Sequence, residues 1–152
     1  MKNILITSDL SENSLVALAV GKELAKKLAA TVTLVSVFQD PSSSAVIVGE
    51  VAVMPDPEII NHLRVQSETE LTQIAVKYFP EQKIKTALIS STGDASQDIV
   101  DYAKANNHDL IIISTRGRTG IARMLIGSVA EKVVRFSSCP VLTVRASPQV
   151  QV

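Results

Sequence analysis

The sequence predicts an α/β fold: one domain built on an open parallel sheet of five strands, with helices on both faces. Three observations predict it. Short apolar runs recur that are too short for helices. Longer segments with apolar residues at helical spacing lie between most of them. Capping and turn residues mark the boundaries. Strands alternating with helices favour a parallel sheet with helices layered on it, and right-handed crossovers leave few topologies.

Ile4-Leu5-Ile6-Thr7 is the first apolar run and reads as a buried parallel strand ending in polar Ser8-Asp9. Ser11 and Asn13 offer N-cap side chains to the next segment. That segment places Leu15, Leu18, Ala19, Ala25 and Leu28 at helical spacing, and Gly21 within it reads as a close packing contact. Thr31 to Phe38 is rich in β-branched residues and forms the second strand. Gln39 to Pro55 is a long connection, marked as irregular by Pro41 and Ser42 to Ser44. Within it Val46-Ile47-Val48 and Val51-Ala52-Val53 are too apolar to be left in water, which suggests cover for the sheet edge or for a partner. Asp56-Pro57-Glu58 starts the second helix with a capping acid, a first-position proline and a first-turn acid, and Pro80 stops it. Ile84 to Ser90 is the third strand. Gly93-Asp94 turns into a third helix bearing Ile99, Val100 and Ala103, which Asn106-Asn107 ends. Leu110 to Ile113 is the fourth strand, Val129 to Phe136 the last helix, and Val141 to Val144 the last strand. Pro140 cannot donate to a sheet ladder and suits the start of an edge strand.

The 152 residues suit one domain with a substantial core, and 46% apolar content excludes disorder. Zero net charge gives no global drive toward nucleic acid or an anionic membrane. No apolar run approaches the roughly 20 residues that span a bilayer. The opening Met-Lys-Asn-Ile-Leu-Ile-Thr lacks a signal-peptide core, so a cytoplasmic protein is expected. The single cysteine, Cys139, allows no internal disulfide and is expected to be a buried, inert thiol.

The stretch Ser114 to Ser128 carries the most chemistry. It follows the run Leu110 to Ile113, precedes a helix start, and holds Gly117, Gly120 and Gly127 of the chain's six glycines. Glycines let backbone N–H groups approach an anion, and a helix N-terminus adds partial positive charge. From Ser114 onward Arg116, Arg118, Arg123, Lys132, Arg135 and Arg145 face one acid, Glu131. That pattern fits either a solvated basic face or an anion site. Ser128 with Glu131 three residues on reads as a capping box, compatible with a hydroxyl donating to phosphate. In open α/β sheets ligands bind beyond the C-terminal strand ends where strand order reverses. Asp9 ends the first strand and the Ser114 loop ends the fourth; if those strands are neighbours, acid and loop flank one crevice.

The spacing Ser114-Thr115-Arg116-Gly117, nine residues, Gly127-Ser128 resembles the glycine motif of the universal stress protein family's nucleotide-binding branch. Asp9 within Thr7-Ser8-Asp9-Leu10-Ser11 and the terminal Cys139-Pro140-Val141-Leu142-Thr143-Val144 resemble further family features. The likeness spans essentially the whole chain. It implies a Rossmann-like sheet of order 3-2-1-4-5 over residues 1–146, a tail at 147–152, and binding of ATP or another adenine nucleotide, with or without Mg²⁺. By resemblance Asp9 meets the ribose or adenine region and Val37 lines the adenine pocket. Arg116, Gly117, Gly127, Ser128 and Val129 surround the phosphates, and Ser8, Ile113, Ser114 and Ala130 complete the set. Ser114 departs from the pattern, standing where the family has its first glycine. A positive φ there would cost serine sterically, whereas a negative φ would leave it harmless and its hydroxyl useful.

The resemblance also implies a homodimer through Val141, Leu142, Thr143 and Val144. The expected function is a nucleotide-responsive stress regulator acting on an unidentified protein partner. The alternatives are a nucleotide-independent dimeric interaction protein and a slow ATP phosphohydrolase. Dedicated catalysis is not expected, since Asp9 is the one obvious acid at the crevice. Asp94 and Asp98 belong to a helix start, His62 and His108 read as surface or packed residues, and no cluster has metal-ligand spacing.

Overall fold

The structure, a computed structural model, describes residues 1–41, 46–48, 51–115 and 127–145. Five strands form the main sheet: β1 (Asn3–Thr7), β2 (Thr31–Gln39), β5 (Lys85–Ser91), β6 (Leu110–Ser114) and β7 (Val141–Val144). They lie in the order β5-β2-β1-β6-β7, all parallel, which is 3-2-1-4-5 when the five are counted along the chain. The remaining strands, β3 (Val46–Val48) and β4 (Val51–Val53), pair antiparallel as a separate two-stranded sheet. The connection expected to be irregular therefore contains paired structure: two three-residue runs rich in β-branched residues satisfy each other's backbone groups.

The helices are α1 (Leu15–Leu28), α2 (Pro57–Tyr78), α3 (Ala95–Ala105) and α4 (Ser128–Phe136). Because side chains alternate along a strand, each central strand feeds two cores. Ile4, Ile6, Leu34 and Ile112 pack with Leu18 and Ala25 of α1 and Leu71 and Ala75 of α2. Leu5, Val35, Ile111 and Ile113 pack with Ile99, Val100 and Ala103 of α3 and Ala130 and Val133 of α4. The continuous apolar runs of β1 and β6 follow from burial on both faces.

Local chemistry sets most boundaries. The Asp56 carboxylate accepts the Glu58 N–H at 2.8 Å, with Pro57 in the first turn of α2. Asp94 caps α3 by accepting the Ser96 N–H at 3.0 Å. Asn107, at φ 53°, terminates the chain's exit from α3. The third strand runs one residue later than expected, because Ser91 pairs with Gln39 at the end of β2. The expected caps of the first helix are corrected: neither Ser11 nor Asn13 caps it. A 3-10 turn, Glu12–Ser14, precedes α1, whose N-cap is Ser14 and which has no side-chain cap bond. The hydroxyl of Ser11 is held by Asp9 instead.

Gly21 is a close contact, as expected: a Cβ there would lie 2.3 Å from Ile6 Cδ1. Cys139 differs from expectation in being half-buried; its thiol lies 3.5 Å from Ser137 Oγ. His62 is exposed, while His108 is half-buried, stacks on Tyr102 and has its pKa lowered, chiefly by desolvation. β7 lies at the sheet edge, and its Leu142 is 36% exposed. Among the described residues no helix is long and apolar enough to cross a membrane. Residues 146–152, which include the expected tail, lie outside the described residues.

Candidate functional site

The chain's order reverses between β1 and β6: β2 lies on one side of this pair and β7 on the other. A cavity of about 370 Å³ opens there, at the C-terminal strand ends. Thr7, Ser8 and Asp9 line it from β1 and its exit, Val37 and Gln39 from β2, and Ile113, Ser114 and Thr115 from β6 and its exit. Gly127, Ser128, Val129 and Ala130 bring the start of α4, Ala95 and Ile99 cover it from α3, and Ser14 adds a hydroxyl. The cavity is apolar along Val37, Ile99, Ile113 and Ala130 and polar toward the serines and Asp9.

Ser8, Asp9, Val37, Ile113, Ser114, Gly127, Ser128, Val129 and Ala130, all expected from the sequence, thus share one cavity. Arg116 and Gly117, the other expected residues, lie outside the described residues. Sequence reasoning missed Thr7, Ser14, Gln39, Ala95, Ile99 and Thr115. Thr7 and Thr115 flank expected residues and were within reach of it. Ala95 and Ile99 were not, since a helix start in sequence does not reveal which strand end it covers.

Hydroxyl protons in the cavity floor can be assigned. Ser14 donates to the Ser11 carbonyl at 2.7 Å, so the 2.8 Å contact between Ser8 and Ser14 has Ser8 as donor. Ser8 in turn accepts the Leu10 N–H at 3.0 Å. Leu10 has φ 65°, so the chain turns sharply just after Asp9. One oxygen of Asp9 accepts both the N–H and the hydroxyl of Ser11, at 3.1 and 2.6 Å. Ser114 donates to the Asn13 carbonyl at 2.9 Å. Ser114 is absent from the positive-φ residues, which are Leu10, Ala29 and Asn107 among the described non-glycines. Serine therefore meets no backbone penalty at this position.

Thr115 stitches three elements together. Its N–H donates to the Val144 carbonyl at 2.9 Å, and its carbonyl accepts the Gly127 N–H at 2.8 Å. Gly127 is the N-cap of α4, with φ −69° and ψ 153°. The expected capping box is thus corrected: Ser128 is the first helical residue, the N-cap is Gly127, and no side-chain cap of α4 occurs among the described residues. Gly127 has ordinary backbone angles, so glycine is favoured here by close approach. An added Cβ would sit 3.3 Å from the Thr115 carbonyl oxygen. The N–H groups of Ser128, Val129 and Ala130 precede the first intrahelical bond, Glu131 N–H to Gly127 carbonyl at 2.9 Å. They supply the donors and partial positive charge that suit an anion.

Lys132 of α4 meets Asp94, the N-cap of α3, at 2.7 Å. The Lys132 ammonium, and after it Ser96, lowers the Asp94 pKa to about 2. The ion pair joins the two helices that frame the cavity.

The universal stress protein family model matches residues 1–145. The universal stress protein YxiE of Bacillus subtilis is 28% identical, over 93% of this chain and 97% of that protein. The universal stress protein MJ0531 of Methanocaldococcus jannaschii is 35% identical over 58% of this chain, a match spanning only about half (52%) of that protein. Among solved structures, MJ0577 superposes with TM-score 0.76 at 26% identity, covering 97% of this chain and 98% of that one. More distant structures share the fold. A universal stress protein from Archaeoglobus fulgidus in complex with dAMP has 19% identity and TM-score 0.58, over 94% of this chain and 97% of that one. One from Arabidopsis thaliana with AMP bound has 13% identity and TM-score 0.60, over 100% and 97%. A family match over nearly the whole length, on a sheet of order 3-2-1-4-5, establishes that this chain belongs to the universal stress protein family.

Proposed function

We propose that this protein binds an adenine nucleotide, ATP or AMP, in the crevice between β1 and β6. Occupancy then changes the surface it offers to a protein partner in a stress response. The observation that carries this reading is the convergence of Asp9, Val37, Ser114 and Gly127–Ala130 on one cavity. The fit is chemical as well as spatial. A cavity of about 370 Å³ is within the usual range for small-molecule sites. Its apolar stretch suits a base, Asp9 suits ribose hydroxyls, and the uncapped start of α4 suits phosphate. The AMP and dAMP complexes of the distant relatives support the same ligand class. Mg²⁺ enters this reading as a counter-ion of the phosphates, with Asp9 the carboxylate lining the crevice.

The reading is one of binding rather than turnover. Phosphoryl transfer needs a positioned nucleophile or base, and Asp9 already holds Ser11 through one oxygen. Slow hydrolysis of bound ATP is the alternative, and phosphate release dependent on Asp9 would favour it. A cytoplasmic homodimer pairing through the β7 edge, at Val141 to Val144, completes the proposal.

Calorimetric titration with ATP and AMP, with and without Mg²⁺, tests the assignment. The wild-type protein is expected to saturate at or below millimolar nucleotide. Gly127→Asp places a carboxylate beside the phosphate position; two like charges about 4 Å apart near a surface repel by about 4 kcal/mol. Affinity should fall by two orders of magnitude or more (~2.7 kcal/mol and above) while circular dichroism stays native. Undiminished binding by Gly127→Asp would refute the site. Absence of wild-type binding at millimolar nucleotide would favour the nucleotide-independent interaction protein.

A further inference from the structure

Thr115 holds a hydroxyl for which the free protein has no use. The residue is 7% exposed, and its Oγ1 is buried without a hydrogen-bond partner among the described residues. Buried hydroxyls are ordinarily satisfied, so an orphan beside a cavity calls for an explanation. The backbone of Thr115 is fixed on both sides, by Val144 and by Gly127, so the residue cannot drift to find a partner. Thr115 directly follows β6, and it lines the crevice together with Ile113, which packs against α3 and α4. Its neighbours' protons are committed: Ser8 donates to Ser14, Ser14 to the Ser11 carbonyl and Ser114 to the Asn13 carbonyl. The Thr115 hydroxyl has no such partner among the described residues, and the Thr115 carbonyl accepts the N–H of Gly127, the N-cap of α4.

Resting on the adenine-nucleotide reading above, we infer that Thr115 is a specificity residue that donates its hydroxyl to a phosphoryl oxygen seated at the α4 N-terminus. Donation requires that a step between staggered χ1 wells turn Oγ1 from its buried position toward the cavity that Thr115 lines. In the free protein the hydroxyl is unsatisfied, and in the complex it is bonded to an anion. The donor therefore favours phosphorylated adenine nucleotides over adenosine, because only the former present an oxyanion there. Charge-assisted bonds of this kind are the strong ones, and a site built to donate discriminates against ligands that leave the donor unpaired.

The test uses Thr115→Val, which keeps the shape and removes the hydroxyl, and Thr115→Ser, which keeps the hydroxyl. Calorimetric affinities for AMP and adenosine are compared, and the unliganded melting midpoint of each protein is recorded. For Thr115→Val the preference for AMP over adenosine should fall about tenfold while the unliganded midpoint rises, since an unsatisfied buried group has been removed. Thr115→Ser should keep the preference. A valine variant with an unaltered preference, or one that loses AMP and adenosine equally, overturns this inference alone. A lowered unliganded midpoint for the valine variant overturns it as well, because the hydroxyl would then already be satisfied. Wild-type protein that binds no AMP removes the nucleotide reading and this inference together.

Discussion

Replacing Gly21 by alanine tests how α1 is seated on the sheet. Gly21 lies mid-helix, where glycine costs about 1 kcal/mol relative to alanine, so propensity alone predicts that Gly21→Ala stabilises. The structure predicts the opposite. The new Cβ would lie 2.3 Å from Ile6 Cδ1 and 3.0 Å from Ile6 Cγ1. Ile6 is fully buried on β1, between Leu34 of β2 and Ile112 of β6, so its tip has nowhere to go. Overpacking of this kind costs about 1–3 kcal/mol, and subtracting the propensity gain leaves a net loss of about 0–2 kcal/mol. Ile6→Val removes the clashing Cδ1 and by itself costs about 0.5–1.5 kcal/mol. If the clash is the cause, the double variant should be more stable than the sum of the two single changes by about 1 kcal/mol or more. Urea unfolding followed by circular dichroism measures all four proteins, with equal m-values required for the comparison. Additivity within about 0.5 kcal/mol would refute the reasoning, since Ile6 would then not be what keeps position 21 a glycine.

Ala29 closes α1 in the left-handed region, at φ 49°. Ala29→Gly should therefore stabilise the protein by about 0.5–1 kcal/mol in the same urea assay, and a destabilised variant would count against backbone strain there. The Asp94 carboxyl, held at about 2 by Lys132 and then Ser96, gives a pH signature. A depressed carboxyl contributes stability that is fully present above its unfolded value near 3.9 and is lost as pH falls toward about 2. Asp94→Asn keeps a capping oxygen but removes the charge, so its melting midpoint should lie below wild type at neutral pH and converge on it as pH falls through that window. A gap that persists unchanged to acid pH would show that the ion pair is not its source.

The sheet was legible because its signals are local. Ile4 to Thr7 and Leu110 to Ile113 are apolar runs too short for helices, and both became central parallel strands. Asp56-Pro57 and Asp94 announced their helices through carboxylates that accept N–H groups two residues on. The nine expected residues that line one cavity were named through the resemblance, and the neighbouring of β1 and β6 brings them together. The failures share one physical cause, competition from other hydrogen-bond partners. Ser11 could cap α1 in isolation, but Asp9 takes its hydroxyl at 2.6 Å. Ser128 could cap α4, but the chain shifts by one residue so that Gly127 can donate to Thr115. The contribution of α3 to the cavity was not legible at all, because it depends on how the helix packs over β2 and β5 rather than on any residue of its own.

The serine at position 114 changes what the glycine motif accomplishes here. At neither of its described positions does the motif use glycine's backbone handedness. Gly127 is at φ −69° and owes its place to the 3.3 Å approach of a would-be Cβ to the Thr115 carbonyl. Ser114 adopts no positive φ and is 8% exposed, with its hydroxyl bonded to the Asn13 carbonyl. Ser8, at the end of β1, is bonded to Ser14 of the same Glu12–Ser14 turn. The two strands that flank the crevice are thereby tied to one short turn, each by a buried hydroxyl. A glycine at 114 would open space on the floor but cut the tie from β6. The departure from the family pattern thus exchanges room on the crevice floor for a fixed spacing between the crevice walls.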